Sequence, residues 1–234
     1  MKTIILAGGL GTRLSEETDS KPKPMVLIGD KPMLWHIMEI YALNGFDEFV
    51  IATGYKHRII EEWVAQLDTS WNIECVFTGE DTQTGGRIRQ CMELIDEELC
   101  FITYGDGLAN VDIRELLRFH QAHGKLATVT AVHPPARFGV LELEGEEVLE
   151  FSEKDRHTLG WINGGFFVVH KKVKDLIASN FDPFETGALP KLAIEKQLMA
   201  YRHTGFWQPM DTLREKRDLE ALALQDSKPW IHFK

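Results

Sequence analysis

The sequence predicts an α/β fold in which a mostly parallel, mixed sheet is flanked by helices on both faces, with a small antiparallel portion in the second half. Three observations carry this expectation. In the first half, short apolar runs end repeatedly in glycine-containing turns. Apolar residues at helical spacing fill the intervals between those turns, as alternating βα units require. The second half instead holds short β-type segments, two of them too close together for a crossover helix.

The elements follow in order. Thr3-Ile4-Ile5-Leu6-Ala7 is a nearly continuous apolar run broken by Gly8-Gly9, the pattern of a strand buried on both faces. Beyond the proline-rich stretch Lys21-Pro22-Lys23-Pro24, Leu34, Ile37, Met38, Tyr41 and Leu43 recur at helical spacing and stop at Asn44-Gly45, a C-terminal signal. Phe49-Val50-Ile51-Ala52 leads to Gly54, and Ile59, Ile60, Trp63, Val64 and Leu67 repeat the helical pattern. Ile73 to Phe77 makes a third strand before Thr78-Gly79, and a helix starting near Gly85-Gly86 carries Ile88, Met92 and Ile95. Cys100-Phe101-Ile102-Thr103 is the fourth strand and ends in Tyr104-Gly105-Asp106-Gly107. Further on, Thr128 to Val132, Val140 to Leu143, Val148 to Phe151 and Gly165 to Val169 read as strands, the second and third joined by a Glu-Gly-Glu turn. Helices are expected over Lys171 to Ser179, Phe184 to Glu195 and Thr212 to Leu224. No repeat and no low-complexity linker interrupts the chain, so residues 1–234 read as a single domain.

Composition narrows the function. The 26 basic and 36 acidic residues give a formal net charge of −10, which argues against a general nucleic-acid-binding surface. Any phosphate must meet local positive groups. No run reaches the roughly 18 apolar residues of a membrane span, so no membrane partner is expected. Cys75, Cys91 and Cys100 are odd in number and show no CxxC spacing, which points to reduced thiols and a cytoplasmic setting. Trp35, Trp63 and Phe119 fall on amphipathic helical faces and read as core. His120 and His123 share a helix but bring no third ligand with them, which leaves the pair structural.

Ligands of an open parallel sheet bind beyond the carboxyl ends of its strands. The turn Gly8-Gly9-Leu10-Gly11-Thr12-Arg13 lies there and supplies backbone that can approach a phosphate, with a cation inside it. Leu14 stands where a dinucleotide fingerprint has its third glycine, and no Gly-Lys-Ser/Thr follows, so neither a nicotinamide-dependent oxidoreductase nor a P-loop is favoured. Lys21 and Lys23 alternate with prolines that keep the chain extended, and Lys23 is the stronger phosphate candidate beside the glycine turn. Asp106 projects from a turn behind a buried strand, as one of the carboxylates of an Mg²⁺ site would, although Asp-Gly also serves simple turns. Asp211 precedes a helix, where a capping role competes with a metal role. Arg87 opens a helix after Thr84-Gly85-Gly86, a favourable place for an anion. Glu153-Lys154 and Asn163-Gly164-Gly165 supply a carboxylate, an ammonium and an amide suited to a hydroxylated, phosphorylated substrate. No Ser-His-Asp or Cys-His arrangement stands out.

Together, Leu6-Ala7-Gly8-Gly9-Leu10-Gly11-Thr12-Arg13-Leu14 and Lys21-Pro22-Lys23-Pro24-Met25-Val26 resemble the signature of the sugar-1-phosphate nucleotidylyltransferases. Downstream, Thr84-Gly85-Gly86-Arg87, Tyr104-Gly105-Asp106-Gly107, Arg137-Phe138-Gly139, Ile162-Asn163-Gly164-Gly165-Phe166-Phe167 and Phe206-Trp207-Gln208-Pro209-Met210-Asp211-Thr212 are similar, in order and almost end to end, to pieces of the glucose-1-phosphate cytidylyltransferases. The resemblance implies a Rossmann-like sheet of the nucleotide-diphospho-sugar transferase type. It implies transfer of a cytidylyl group from CTP to a sugar 1-phosphate, with Mg²⁺ as cofactor and a homo-oligomer as the default assembly. On the same basis Leu6, Gly8, Gly9, Gly11 and Thr12 would hold the nucleotide, Arg13 and Lys23 would contact its phosphates and serve catalysis, and Gly85 and Arg87 would lie on the nucleotide side. Asp106 and Asp211 would hold the metal. Lys154 would bind the sugar phosphate and Asn163 the sugar, with Tyr104, Gly139 and Glu153 on the acceptor side.

Two features depart from the family pattern. The stretch between Trp63 and Gly85 is short, and Asp155 follows Glu153-Lys154 where the family has proline. Three other readings stay open from the sequence. They are the same fold using UTP or dTTP, a cytidylyltransferase with a different phosphorylated acceptor, and a non-catalytic nucleotide-sugar sensor.

Overall fold

The structure is a computed structural model and describes residues 1–134, 140–152, 160–225 and 227–231. The side chain of Arg13 and residues Gly139, Glu153, Lys154 and Asp155 lie outside that description, and with them the roles expected of them.

β1 (Thr3–Ala7) runs through the glycine turn into a short helix α1 (Ser15–Thr18). A two-residue ribbon, β2 (Leu27–Ile28) and β3 (Lys31–Pro32), then leads into α2 (Met33–Leu43). The next βα units are β4 (Glu48–Thr53) with α3 (His57–Ala65) and β5 (Asn72–Phe77) with α4 (Thr84–Met92), followed by β6 (Leu99–Tyr104). After a short β7 (Gly107–Ala109) come α5 (Ile113–His123) and β8 (Ala127–Val132), the hairpin β9 (Val140–Glu144) and β10 (Glu147–Ser152), and the long β11 (Ile162–His170). α6 (Ala188–Ile194), β12 (Leu198–Arg202), β13 (Trp207–Pro209) and α7 (Leu213–Ala223) complete the order.

Seven strands form the main sheet in the order β12-β8-β11-β6-β1-β4-β5. β11 alone runs against its neighbours β6 and β8, while the β6-β1-β4-β5 and β12-β8 pairings are parallel. The expected mixed, mostly parallel sheet is present. Its central strands alternate between two cores, as a period of two dictates. Ile5 and Ala7 of β1, with Phe49 and Ile51 of β4, pack under α2, α3, α5 and α7. Ile4 and Leu6, with Val50 and Ala52, pack under α4 and α6. The continuous apolar runs of the sequence are thus strands covered on both faces.

Several elements differ from expectation for identifiable reasons. Lys171 to Ser179 forms a tight 3-10 segment over Lys171–Leu176 instead of an α-helix. The helix expected from Phe184 begins only at Ala188, because the preceding loop is hydrogen-bonded to the start of α4, with Asn180 O accepting from Gln83 N (2.8 Å) and Asp182 O from Gly85 N (3.1 Å). β7 and β13 are three residues each and pair only with one another, too short for periodicity to mark. β12 lies at the sheet edge and is half exposed, and its apolar run Leu198 to Tyr201 is not among the strands expected from the sequence.

The aromatic helix residues occupy the margins of the core. Trp63 packs on it, Trp35 stacks on Trp71 (4.7 Å), and Phe119 meets Tyr201 and His123 edge-on. All three cysteines are free thiols. Among the described residues no helix is long and apolar enough to cross a membrane.

His120 and His123 are structural. Their ring nitrogens lie 2.9 and 2.7 Å from the Thr128 hydroxyl of β8, and no group of three potential metal ligands occurs among the described residues. Burial, helped by the neighbouring His123 and His170, lowers the His120 pKa to about 4. The unfolded chain therefore binds a proton here between pH 6.5 and about 4 that the folded chain does not, and stability falls as pH drops through that window. Urea unfolding near pH 6.5 and near pH 4 should show a smaller loss of stability for His120→Gln than for the unsubstituted protein. Equal losses would contradict a buried neutral His120.

Candidate active site

The carboxyl ends of β1 and β6, the loop after β5 and the opening of β11 surround a cavity of about 1420 Å³. The first glycine turn, Lys23, the start of α4, Tyr104 to Asp106, Asn163 and Asp211 all line it.

At its centre Lys23 Nζ donates to Asp106 Oδ2 and to Asp211 Oδ1, both at 2.7 Å. The prolines on either side of Lys23 set this up. Pro22 is extended, and Lys23-Pro24-Met25 form one 3-10 turn, so the lysine is buried in the cavity wall while Lys21 stays outside the lining. The two aspartates meet because of the β7–β13 ribbon. Pro209 pairs with Gly107, and Met210 N donates to Asp106 O (2.8 Å), which delivers the next residue, Asp211, beside Asp106. Asp211 is not a helix cap. Thr212 caps α7 in a capping box with Glu215, whose carboxylate also accepts from Asp211 N (2.7 Å). Burial works to lower the Lys23 pKa, but the charges of Asp106 and Asp211 and the hydrogen bonds to both raise it overall. The lysine is held as an ammonium at neutral pH.

A second cation organises the cavity wall. Arg87 is 4% exposed. Its Nη1 donates to Thr53 O (3.0 Å), Thr78 Oγ1 (2.6 Å) and Gly79 O (2.8 Å), and its Nη2 to Gly8 O (2.9 Å) and Glu80 O (3.2 Å). It thereby ties the ends of β1, β4 and β5 together. A Cβ on Gly8 would sit 2.1 Å from Arg87 Nη1, so glycine at that position leaves room for the guanidinium. Gly85 has a similar reason. Its Cβ would lie 2.5 Å from Asp182 O, and the residue packs against that loop without lining the cavity.

The remaining expected residues fall as follows. Leu6, Gly8, Gly9, Gly11 and Thr12 line the cavity, with Gly9 and Thr12 exposed to it. Gly11 has φ 66°, a conformation that suits glycine. Tyr104 and Asn163 line it as well. Glu185 joins them there, accepting from Tyr104 Oη (2.7 Å) and Thr84 Oγ1 (2.6 Å). No sequence signal marked it, because its segment reads as helix interior. Gln83 also lines the cavity without a motif to announce it.

Charge defines what this cavity requires. Among the described residues its lining carries the carboxylates of Glu80, Asp81, Asp106, Glu185 and Asp211 against the cations Lys23 and Arg87. Arg87 is already committed to five oxygens. A polyanionic ligand therefore needs further positive charge, and two convergent carboxylates, with no third protein ligand among the described residues, match the donor set of a hard divalent cation completed by water and phosphate oxygens.

Comparison with known proteins is consistent along the whole chain. The nucleotidyl transferase family model matches residues 2–211. Glucose-1-phosphate cytidylyltransferases of Salmonella typhi and Salmonella typhimurium are each 46% identical over 253 positions that cover 98% of this chain and 98% of theirs. That span exceeds the 234 residues present here, so these relatives carry residues that this chain lacks. The crystal structure of HddC from Yersinia pseudotuberculosis superposes with a TM-score of 0.75 at 23% identity, covering 94% of this chain and 98% of that one, a likeness of fold.

The Arg87 clamp makes a thermodynamic prediction. Arg87→Met leaves buried carbonyls without donors and should cost about 3–5 kcal/mol of stability. Gly8→Ala should be destabilising through its clash with the guanidinium. The double variant should be less unstable than the two effects added, because the clash disappears with the guanidinium. Strict additivity in urea unfolding would contradict the contact.

Proposed function

The chain belongs to the nucleotidyl transferase family, and on that premise we propose that it transfers a cytidylyl group from CTP to glucose 1-phosphate, giving CDP-glucose and pyrophosphate. The observation that carries the choice of nucleotide and sugar is the 46% identity over nearly the full length of both chains to enzymes of that name. The cavity supports it chemically. A phosphate oxygen of the sugar 1-phosphate attacks the α-phosphorus of CTP, and pyrophosphate leaves. The nucleophile needs no general base, since the second pKa of a phosphomonoester is about 6 and the group is already largely ionised near neutrality.

The work left to the protein is alignment of two anions and neutralisation of charge. The exposed glycine turn, Gly9 to Thr12, presents backbone to the nucleotide. Lys23, kept protonated by its two carboxylates, is the ammonium available to the phosphates. Arg87 acts indirectly, by holding Gly8 and the neighbouring strand ends in place. Arg13 and Lys154, whose side chains lie outside the described residues, are assigned to the triphosphate and the sugar phosphate. Asp106 and Asp211 would hold the divalent cation, which we take to be Mg²⁺. When bound it supplies charge neutralisation at the phosphates. Tyr104 and Asn163 form the acceptor wall. The three free thiols suit a reducing cytoplasm as the setting.

Pyrophosphate release tests this reading. With Mg²⁺ and glucose 1-phosphate, CTP should support turnover far better than UTP, dTTP, ATP or GTP. Asp106→Asn should lower that turnover by at least about 10²-fold, the scale of losing one electrostatic contact to a developing charge. Equal use of another nucleotide would reassign the base, and full activity of Asp106→Asn would remove the carboxylate from the reaction.

A further inference from the structure

Glu185 stands out against the charge logic of the cavity. It is a half-buried carboxylate in a cavity read as a site for two phosphate-bearing substrates, and it has no ion-pair partner among the described residues. A carboxylate so placed opposes phosphate binding nearby. It fits where the ligand is neutral and rich in hydroxyls.

Its contacts define a directional chain. Phe184 N donates to Thr84 Oγ1 (2.8 Å), and Thr84 Oγ1 donates to Glu185 Oε2. On the other oxygen, Tyr104 Oη donates to Glu185 Oε1. An ionised carboxylate only accepts, so the single Tyr104 proton is committed to it, and the Tyr104 oxygen is left as an acceptor. Asn163 Nδ2 fills that place at 3.0 Å, while Asn163 Oδ1 accepts from Gly165 N (2.8 Å). The orientation of the exposed Asn163 amide is fixed from both ends. One N–H of its Nδ2 remains for a ligand.

We propose that Glu185 is the positioning residue for the acceptor sugar: through Tyr104 it sets Asn163 to donate to a sugar hydroxyl, and its negative charge favours the neutral ring over a phosphate beside it. The inference rests on the sugar-nucleotide reading above and adds to it the group that selects the neutral end of the acceptor.

Glu185→Gln tests it, because an amide keeps one acceptor oxygen where the carboxylate has two. Either Thr84 or Tyr104 then loses its acceptor. The substrate pair is first chosen as the one the unsubstituted protein uses best from CTP, UTP, dTTP and GTP with a set of sugar 1-phosphates. With that pair, Glu185→Gln should raise the KM for the sugar phosphate about tenfold, the scale of one lost hydrogen bond. The KM for the nucleotide should stay within about twofold. Tyr104→Phe should reproduce that pattern, and the double variant should be no worse than either single one. By calorimetry, Glu185→Gln should bind the nucleotide diphosphate sugar more weakly and the free nucleotide as before. An unchanged KM for the acceptor, or equal weakening for both substrates, would overturn the inference while leaving the sugar-nucleotide reading intact. Failure of the unsubstituted protein to use any sugar 1-phosphate would overturn both.

Discussion

The ammonium of Lys23 between the carboxylates of Asp106 and Asp211 is the constraint on which the cavity is built. These aspartates lie 83 and 188 positions from Lys23 in the sequence, yet both are 2.7 Å from one nitrogen. Two carboxylates at such separation from a common point repel one another unless a cation stands between them. Burying the ammonium is costly in turn unless both partners are present. The three residues therefore justify one another, and each comes from a different part of the fold. A proline-framed turn supplies the lysine, the end of β6 supplies Asp106, and the β7–β13 ribbon supplies Asp211.

The second buried cation has a different task. Arg87 spends its donors on backbone and hydroxyl oxygens from three strand ends and keeps the floor of the cavity closed, with Gly8 shaped to admit it. The Arg87 donors are occupied by these protein oxygens even though the residue lines the cavity. Lys23 with the paired aspartates, and Glu185 with Tyr104 and Asn163, are two hydrogen-bonded groups in the cavity lining, and on the proposed reading the first serves the phosphates and a divalent cation and the second the neutral ring.

Much of this was legible in the sequence because it rests on local rules. Continuous apolar runs cut by glycine marked the central strands, and a carboxylate in a glycine turn behind a buried strand marked Asp106. Position beside the glycine turn favoured Lys23 over Lys21. What stayed hidden depends on distant pairings. The three-residue strands β7 and β13 have no periodicity, so the meeting of Asp211 with Asp106 was visible only through family resemblance. Glu185 was hidden because residues 184–187 carry apolar and polar types compatible with a helix, while tertiary hydrogen bonds to α4 hold them as turns. A further reason for Gly8 was also hidden. It is set by a side chain far along the chain, and nothing at Gly8 itself records that.

The central claim is that Asp106 and Asp211 act as one divalent-cation site held ready by Lys23. It is tested most directly by titrating Mn²⁺ into the protein with CTP present and following the free ion by electron paramagnetic resonance. One site should appear in the unsubstituted protein. Asp106→Asn and Asp211→Asn should each weaken it to a similar extent, and the double variant should weaken it little further, because either loss already breaks the shared site. Undiminished Mn²⁺ binding in either single variant, or losses that simply add, would contradict a common site.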